Sequence, residues 1–292
     1  MSEFSADAGL GGAATNAGKN PGNDFDAEPG ALLELAVGVA RDAAATARRM
    51  RAEAIGDVET KSTATDVVTA ADKAVERQVI EALRAARPGD GVLGEEYGST
   101  EEAATGPVRW ILDPIDGTVN YLYGLPQYAV SLAAEVGGTV VAGVVVNAAT
   151  GDEWTATLGG GAWRGGRRLH CSAPAGLGQA LVGTGFSYDA RRREHQGRVV
   201  AGLITRVRDI RRFGAAALDL CAVAEGMLDG YYEKGLNPWD WAAGGLIATE
   251  AGAVVSGLNG AAPGLDLLVA AAPAVFNDLH DVLANLDASG GP

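Results

Sequence analysis

The stretch from Ala129 to Leu169, "AVSLAAEVGGTVVAGVVVNAATGDEWTATLGGGAWRGGRRL", restricts the fold more than any other part of the chain. Its β-rich segments are separated by Gly-Gly and Thr-Gly-Asp turns, the pattern of antiparallel strands laid down as a meander. Strands therefore dominate the middle third. Ahead of them, "ALLELAVGVARDAAATARRMRAEA" repeats apolar residues at helical spacing. Arg41, Arg48, Arg49 and Arg51 gather toward the end of that segment, where the helix dipole favours cations. "DVVTAADKAVERQVIEALRAARPGD" predicts a short extended segment and then a second helix, N-capped at Thr69, with Asp72 in its first turn and a stop at Pro88-Gly89. Beyond "ALVGTGF" the pattern alternates strand and helix, the signature of a second α/β layer.

This organisation divides the chain into three parts. Residues 1–29 are rich in Gly, Ala, Asn and Asp and too poor in large apolar groups to offset their ordering entropy, so a disordered tail is expected. Residues 30–180 form an α+β half, and residues 181–292 an α/β half. The 292 residues suffice for a sizeable core with a cleft. The net charge of −14 repels phosphate backbones and anionic membrane surfaces, which disfavours nucleic acid as the main ligand. An acidic protein that handles a phosphorylated small molecule needs cations to mediate the contact. Cys171 and Cys221 have neither disulfide nor zinc spacing, the first residues lack a signal-peptide pattern, and no uninterrupted apolar run is long enough to span a bilayer. A soluble, cytoplasmic chain is the expectation.

Chemistry concentrates in "WILDPIDGTVNYLYGLP", Trp110 to Pro126. Pro114 fixes its own φ and bars Asp113 from helical conformation, so the strand "WILD" is expected to end there with Asp113 and Asp116 in one loop. If "GTVNYL" starts a helix, its amides offer an anion site beside two carboxylates, a combination that makes sense with a metal between them. Mg²⁺ prefers hard oxygen ligands and is bound through few carboxylates plus substrate phosphate. Glu95 and Glu96 in "GVLGEEYG", Asp72, and Asp240 in "NPWDWAAGG" can supply further carboxylates, with Asp240 also suited to cap the next helix. Each has an ordinary structural reading when taken alone. "DPIDGT" is turn chemistry, "GEE" an exposed acidic pair, and "WD" an N-cap. Their co-occurrence at the ends of separate apolar strands favours the metal.

"LDPIDGTVNYLYGLPQYAVSLA" and "WDWAAGGLIATEAGA", with "GEE" upstream, resemble the two signatures of the inositol monophosphatase family, within the Mg²⁺-dependent, lithium-sensitive sugar phosphatases. The resemblance spans residues 31–285. It implies a layered αβαβα sandwich, a homodimer and two to three Mg²⁺ per active site. Glu95, Asp113 and the Ile115 carbonyl would hold the first ion, and Asp113, Asp116 and Asp240 the second. A third, weaker ion would lie near Glu95 with Asp72 in its outer sphere. Thr118 and Glu95 would orient an attacking water and accept its proton, with no phosphoenzyme.

The resemblance also implies substrate contacts. Gly117 and Thr118 amides would hold phosphate, while Gly214, Ala215, Ala216 and Glu233 would meet the substrate ring, alongside Asp116 and Asp240. Lys61 matches a lysine kept near the metals. Ala215 stands where many relatives have Ser or Thr, which removes a hydroxyl contact. "GTVNY" argues against histidinol-phosphate and nucleotide-phosphate specificity, and Glu233 favours a polyol. The implied activity is hydrolysis of myo-inositol monophosphate. The alternatives are fructose-1,6-bisphosphatase, histidinol-phosphatase or another sugar phosphatase, and a non-enzymatic partner-binding protein. The last is disfavoured because every expected ligand is present. Tyr121 is expected to be a core aromatic, and His170, His195 and His280 lie outside every motif.

Overall fold

The computed structural model describes residues 27–57, 64–99 and 104–292. Most of the expected tail, and Lys61, lie outside the described residues. Helix α1 (Pro29–Asp57) precedes α2 (Ala64–Ala86). Helix α2 begins before Thr69, so "DVVT" is helical and not extended, Thr69 is not an N-cap, and Asp72 falls in the third turn. The amphipathic continuation of the segment outweighs the capping preference of one threonine.

The first sheet has eight strands in the order β2-β1-β3-β4-β5-β6-β7-β8. They are β1 (Gly91–Gly94), β2 (Gly98–Ser99), β3 (Val108–Asp116), β4 (Ala129–Val136), β5 (Thr139–Asn147), β6 (Glu153–Thr157), β7 (Gly161–Arg164) and β8 (Arg167–Arg168). From β3 onward every neighbour is antiparallel, as the turn spacing predicts, while β1 runs parallel to β3. Strand β3 does not stop at Pro114. Its register against β4 shifts between Asp113 (opposite Ser131) and Asp116 (opposite Ala129), which inserts one extra residue. The bulge accommodates a proline that has no N–H for the ladder.

Side chains alternate across this sheet with period two. Trp110 and Leu112 of β3, Val130 and Leu132 of β4, and Val144 and Val146 of β5 face α1 and α2. Ile111, Ala133 and Val145 face the other way, toward α5 (Ala216–Ala224) and α6 (Pro238–Glu250). Those two helices also cover a second sheet of β9 (Leu181–Thr184), β10 (Asp209–Arg211), β11 (Gly230–Glu233), β12 (Val254–Ser256) and β13 (Leu268–Ala271). Its order is β10-β9-β11-β13-β12, with β9, β10 and β11 parallel. Tyr231, Leu268 and Ala270 point into the central helical layer. Tyr232, Val269 and Ala271 point outward, under α4 (Ala190–Leu203) and α7 (Pro273–Asn285). Five layers result, α1/α2, sheet, α5/α6, sheet and α4/α7, the expected αβαβα sandwich.

The central layer packs closely because its contact residues are small. A Cβ built on Gly143 of β5 would stand 3.0 Å from Cα and 3.2 Å from O of Ala243 in α6, and one on Gly244 would stand 2.9 Å from Cβ of Leu220 in α5. Gly143→Ala is therefore expected to destabilise the protein by about 1–3 kcal/mol through overpacking. Gly38→Ala, in α1 with nothing within 4 Å of its added Cβ, is expected to stabilise by about 0.5–1 kcal/mol through helix propensity. Urea unfolding midpoints of the two variants against the parent check both signs.

Candidate active site

The acidic residues meet where the two sheets and the central helices join. Glu95 follows β1, Asp113 and Asp116 sit on the bulged end of β3, and Thr118 opens α3 (Thr118–Tyr123). Asp240 lies in the first turn of α6, and Glu233 ends β11. These side chains, with Ile115, Gly117, Gly214 and Ala216, line one cavity of about 300 Å³. Asp72 is buried just behind the wall, with one carboxylate oxygen lacking any partner. Ala215 does not line the cavity; it is buried, and its Cβ lies 3.1 Å from where a Cβ on Gly117 would stand. Gly117 has φ +90°, so a side chain there would meet both strain and contact.

Backbone amides hold the carboxylates in place. Ile115 N donates to Asp113 Oδ1 at 3.0 Å. Ala216 N and Ala217 N, at the start of α5, donate to the two oxygens of Asp116 at 3.2 and 2.7 Å. The Ala216 amide is thus engaged by Asp116. Asn237, not Asp240, is the N-cap of α6: Asp240 is the third helical residue and accepts from Asn237 N at 2.6 Å, completing a capping box after Pro238. Thr118 Oγ1 donates to the Ile115 carbonyl at 3.3 Å. Asn120 donates to the carbonyls of Gln127 at 2.8 Å and Phe213 at 2.7 Å, which ties the bulged loop to the segment before α5. Tyr121 is a core aromatic whose hydroxyl reaches Ala47 O at 3.1 Å.

On the far side of the cavity, the Tyr231 hydroxyl donates to Glu233 Oε2. The Glu233 carboxylate fills the space that a Cβ on Gly185 would occupy, 1.8 Å from its Oε2. Arg192, Arg212 and Lys234 stand on the same wall. The Lys234 ammonium is engaged by the carbonyls of Ser289 and Gly290 at 2.9 and 2.7 Å. His170, His195 and His280 do not line the cavity.

Sequence reasoning overlooked Glu76, Tyr231 and Asp219. Glu76 is wholly buried on α2, and its carboxylate accepts from Glu96 N at 2.9 Å and Tyr97 N at 3.0 Å, two adjacent amides immediately after Glu95. In the sequence it is one more glutamate on an amphipathic helix; its i,i+4 spacing from Asp72 was the available signal. Asp219 is buried on α5 with both oxygens unpartnered by hydrogen bonds.

The electrostatics follow from burial and mutual repulsion. Desolvation first, then the charges of Glu95, Glu96 and Glu76, pushes Asp72 from 3.8 up to about 8. Desolvation, then Asp240, Glu96 and Glu76, raises Glu95 to about 7. Asp240 rises to about 6, mainly by desolvation, against the Asn237 amide that favours its charged form. Asp113 and Asp116 are held well above the carboxylate range, again by desolvation and then by their acidic neighbours.

Among the described residues, no three acidic, histidine or cysteine side chains are preset as a cation cage. Asp113 instead lies within hydrogen-bonding reach of Glu95 and of Asp240, contacts that need a shared proton. The donor chemistry nevertheless fits Mg²⁺. All donors are oxygens, the carboxylates carry raised proton affinity, and among the described residues none of Glu95, Asp113, Asp116 and Asp240 is ion-paired with Lys or Arg. Cations and protons compete for such a set.

These shifts set a pH dependence. Groups whose folded pKa is raised stabilise the fold fully below their ordinary range near pH 4, and the contribution is lost as pH rises through about 6 for Asp240, 7 for Glu95 and 8 for Asp72. In chelator-containing buffer, the urea midpoint is expected to fall from pH 5 to pH 8.5. Asp72→Asn, which keeps the neutral shape, is expected to flatten the upper part of that slope.

The model of the inositol monophosphatase family matches residues 29–286. The curated inositol-1-monophosphatase SuhB of Mycobacterium tuberculosis is 46% identical over 271 residues, covering 87% of this chain and 93% of that protein. A solved structure of Mycobacterium tuberculosis SuhB superposes with a TM-score of 0.78 at 44% identity, covering 91% of this chain and 100% of that one. The Nus factor SuhB of Pseudomonas aeruginosa is 40% identical over 201 residues, 68% of this chain and 74% of that protein. Family and relatives together support a phosphatase of the inositol-monophosphatase type. A signature pair in sequence, a five-layer sandwich and a family match along nearly its whole length agree: the chain belongs to the inositol monophosphatase family.

Proposed function

We propose that this protein is a Mg²⁺-dependent phosphomonoesterase that hydrolyses myo-inositol monophosphate to inositol and phosphate. The observation that carries the proposal is the convergence on one cavity of Glu95 after β1, Asp113 and Asp116 from the bulged end of β3, and Asp240 from the start of α6. Glu95, Asp113 and the Ile115 carbonyl would hold one Mg²⁺, and Asp113, Asp116 and Asp240 a second. A third would be held near Glu95, with Asp72 behind it. When bound, the ions supply a more acidic water and neutralise charge on the phosphate and the departing alkoxide.

The chain's own groups do the rest. Thr118, whose hydroxyl donates to the Ile115 carbonyl and which lines the cavity, would orient the attacking water. The Glu95 carboxylate would accept the proton of that water; its raised proton affinity belongs to the cation-free site, and a bound cation lowers it. Gly117 and Thr118 contribute backbone amides at the cavity wall for phosphate oxygens. Glu233, held by Tyr231 and backed by Gly185, is placed to accept hydrogen bonds from polyol hydroxyls. Ala215, buried and without a hydroxyl, leaves ring selectivity to Glu233 and to the Gly214 backbone, because the Ala216 amide is taken by Asp116. A homodimer, lithium sensitivity and a cytoplasmic location belong to the same reading. Among the described residues no helix is long and apolar enough to cross a membrane.

A second reading is favoured by the name of the Pseudomonas aeruginosa relative, a Nus factor. Under it, the fold also serves a macromolecular partner through its surface. The full acidic set argues that catalysis is kept beside any such role.

Asp113→Asn is expected to lower kcat on the order of 10³-fold or more by removing a shared cation ligand, with circular dichroism unchanged. Turnover near the parent rate would refute the two-cation assignment. Glu233→Ala is expected to raise KM for inositol 1-phosphate about tenfold, the cost of one charge-assisted hydrogen bond. Phosphate release from inositol 1-phosphate, fructose 1,6-bisphosphate and histidinol phosphate ranks the substrates, and preference for either of the latter two would overturn the substrate assignment.

A further inference from the structure

We propose that Glu76 is a positioning residue for Glu95: from α2 it grips the turn after β1, so that the Glu95 carboxylate is presented to the acidic cavity. The inference rests on the functional reading given above. Glu76 does not itself line the cavity, whereas Glu95 does.

Three observations support it. Glu76 is wholly buried, yet among the described residues it has no lysine or arginine partner; its carboxylate oxygens accept from Tyr97 N at 3.0 Å and Glu96 N at 2.9 Å. With both of these amides turned toward α2, the backbone of the turn is fixed immediately after Glu95. Second, the space for this grip exists because residue 94 is glycine. A Cβ there would stand 2.1 Å from Glu76 Oε1 and 2.5 Å from its Cδ. Gly94 is also the last residue of β1, paired with Leu112 of β3, so the grip is anchored to the strand that leads to Asp113.

The third observation is the cost. Asp72 and Glu76 are carboxyl groups one helical turn apart, both buried, and burying two such groups without a cation between them is costly. An apolar residue at position 76 would pack against the core without that penalty. A carboxylate is needed there to satisfy two adjacent amides of a turn that cannot satisfy them internally. Such outer contacts characteristically set the orientation, and so the affinity, of a metal ligand.

The test compares the full-length parent with Glu76→Gln and Gly94→Ala, which disturb the same contact from opposite sides. Leu283→Ala, on the buried face of α7 in the outer layer, serves as a destabilised control. Three quantities are measured: hydrogen exchange at the Glu96 and Tyr97 amides, Mg²⁺ affinity by calorimetry, and kcat and KM at saturating Mg²⁺. Both site variants are expected to exchange those amides faster and to bind Mg²⁺ about tenfold or more weakly, with kcat reduced and KM within about twofold. Leu283→Ala is expected to melt earlier with parent-like Mg²⁺ affinity. If one site variant fails to fold, the other carries the test. Parent-like exchange, or faster exchange with parent-like Mg²⁺ affinity, overturns the role of Glu76 alone. Failure of the parent to bind Mg²⁺ overturns the functional reading, and this inference with it.

Discussion

The structure depends on holding several carboxylates together at a low-dielectric junction with backbone amides instead of side-chain cations. Asp113 takes an amide from Ile115, Asp116 two from the start of α5, Asp240 one from Asn237, and Glu76 two from the turn after β1. Amide dipoles fix position without supplying a full positive charge. Desolvation, and then the repulsion that remains, appear as raised proton affinity across the cluster. A site built this way is suited to protons or hard cations, and a bound cation offsets the repulsion between an acidic protein and an anionic ligand.

Packing and electrostatics are coupled through the central layer. Helices α5 and α6 approach each other and β5 through Gly143, Ala243 and Gly244, and their N-terminal turns supply the amides for Asp116 and the carboxylate of Asp240. The small residues are therefore part of the site although they touch none of its chemistry. A displacement of α6 by a fraction of an ångström moves the Asp240 carboxylate at the start of that helix, because a packed helix shifts as a rigid unit.

The strands of the meander and the alternation after residue 180 were legible because each depends on neighbours a few positions away. Helix α2 starts upstream of Thr69, where the local cap signal points, because the helical continuation of the preceding residues outweighs one threonine's capping preference. The end of β3 was misplaced because a bulge tolerates a proline that a regular ladder does not. Strands β12 and β13 and helix α7 close the second sheet and its outer layer, and the sequence reading did not identify them as elements; their small-residue runs, such as "LVAAAP", carry little periodicity.

The sequence by itself determined which acidic residues stand at the ends of apolar segments, the glycine that turns the chain beside them, and the family signatures. Tertiary structure decided the rest: that Asp240 meets Asp113, that Ala215 turns away from the cavity, that Tyr231 holds Glu233, and that Glu76 is buried beneath the turn of Glu95. The physical reason is range. Turn and strand preferences act over a few residues, whereas desolvation and Coulomb repulsion are set by whichever distant segments the packed layers bring together.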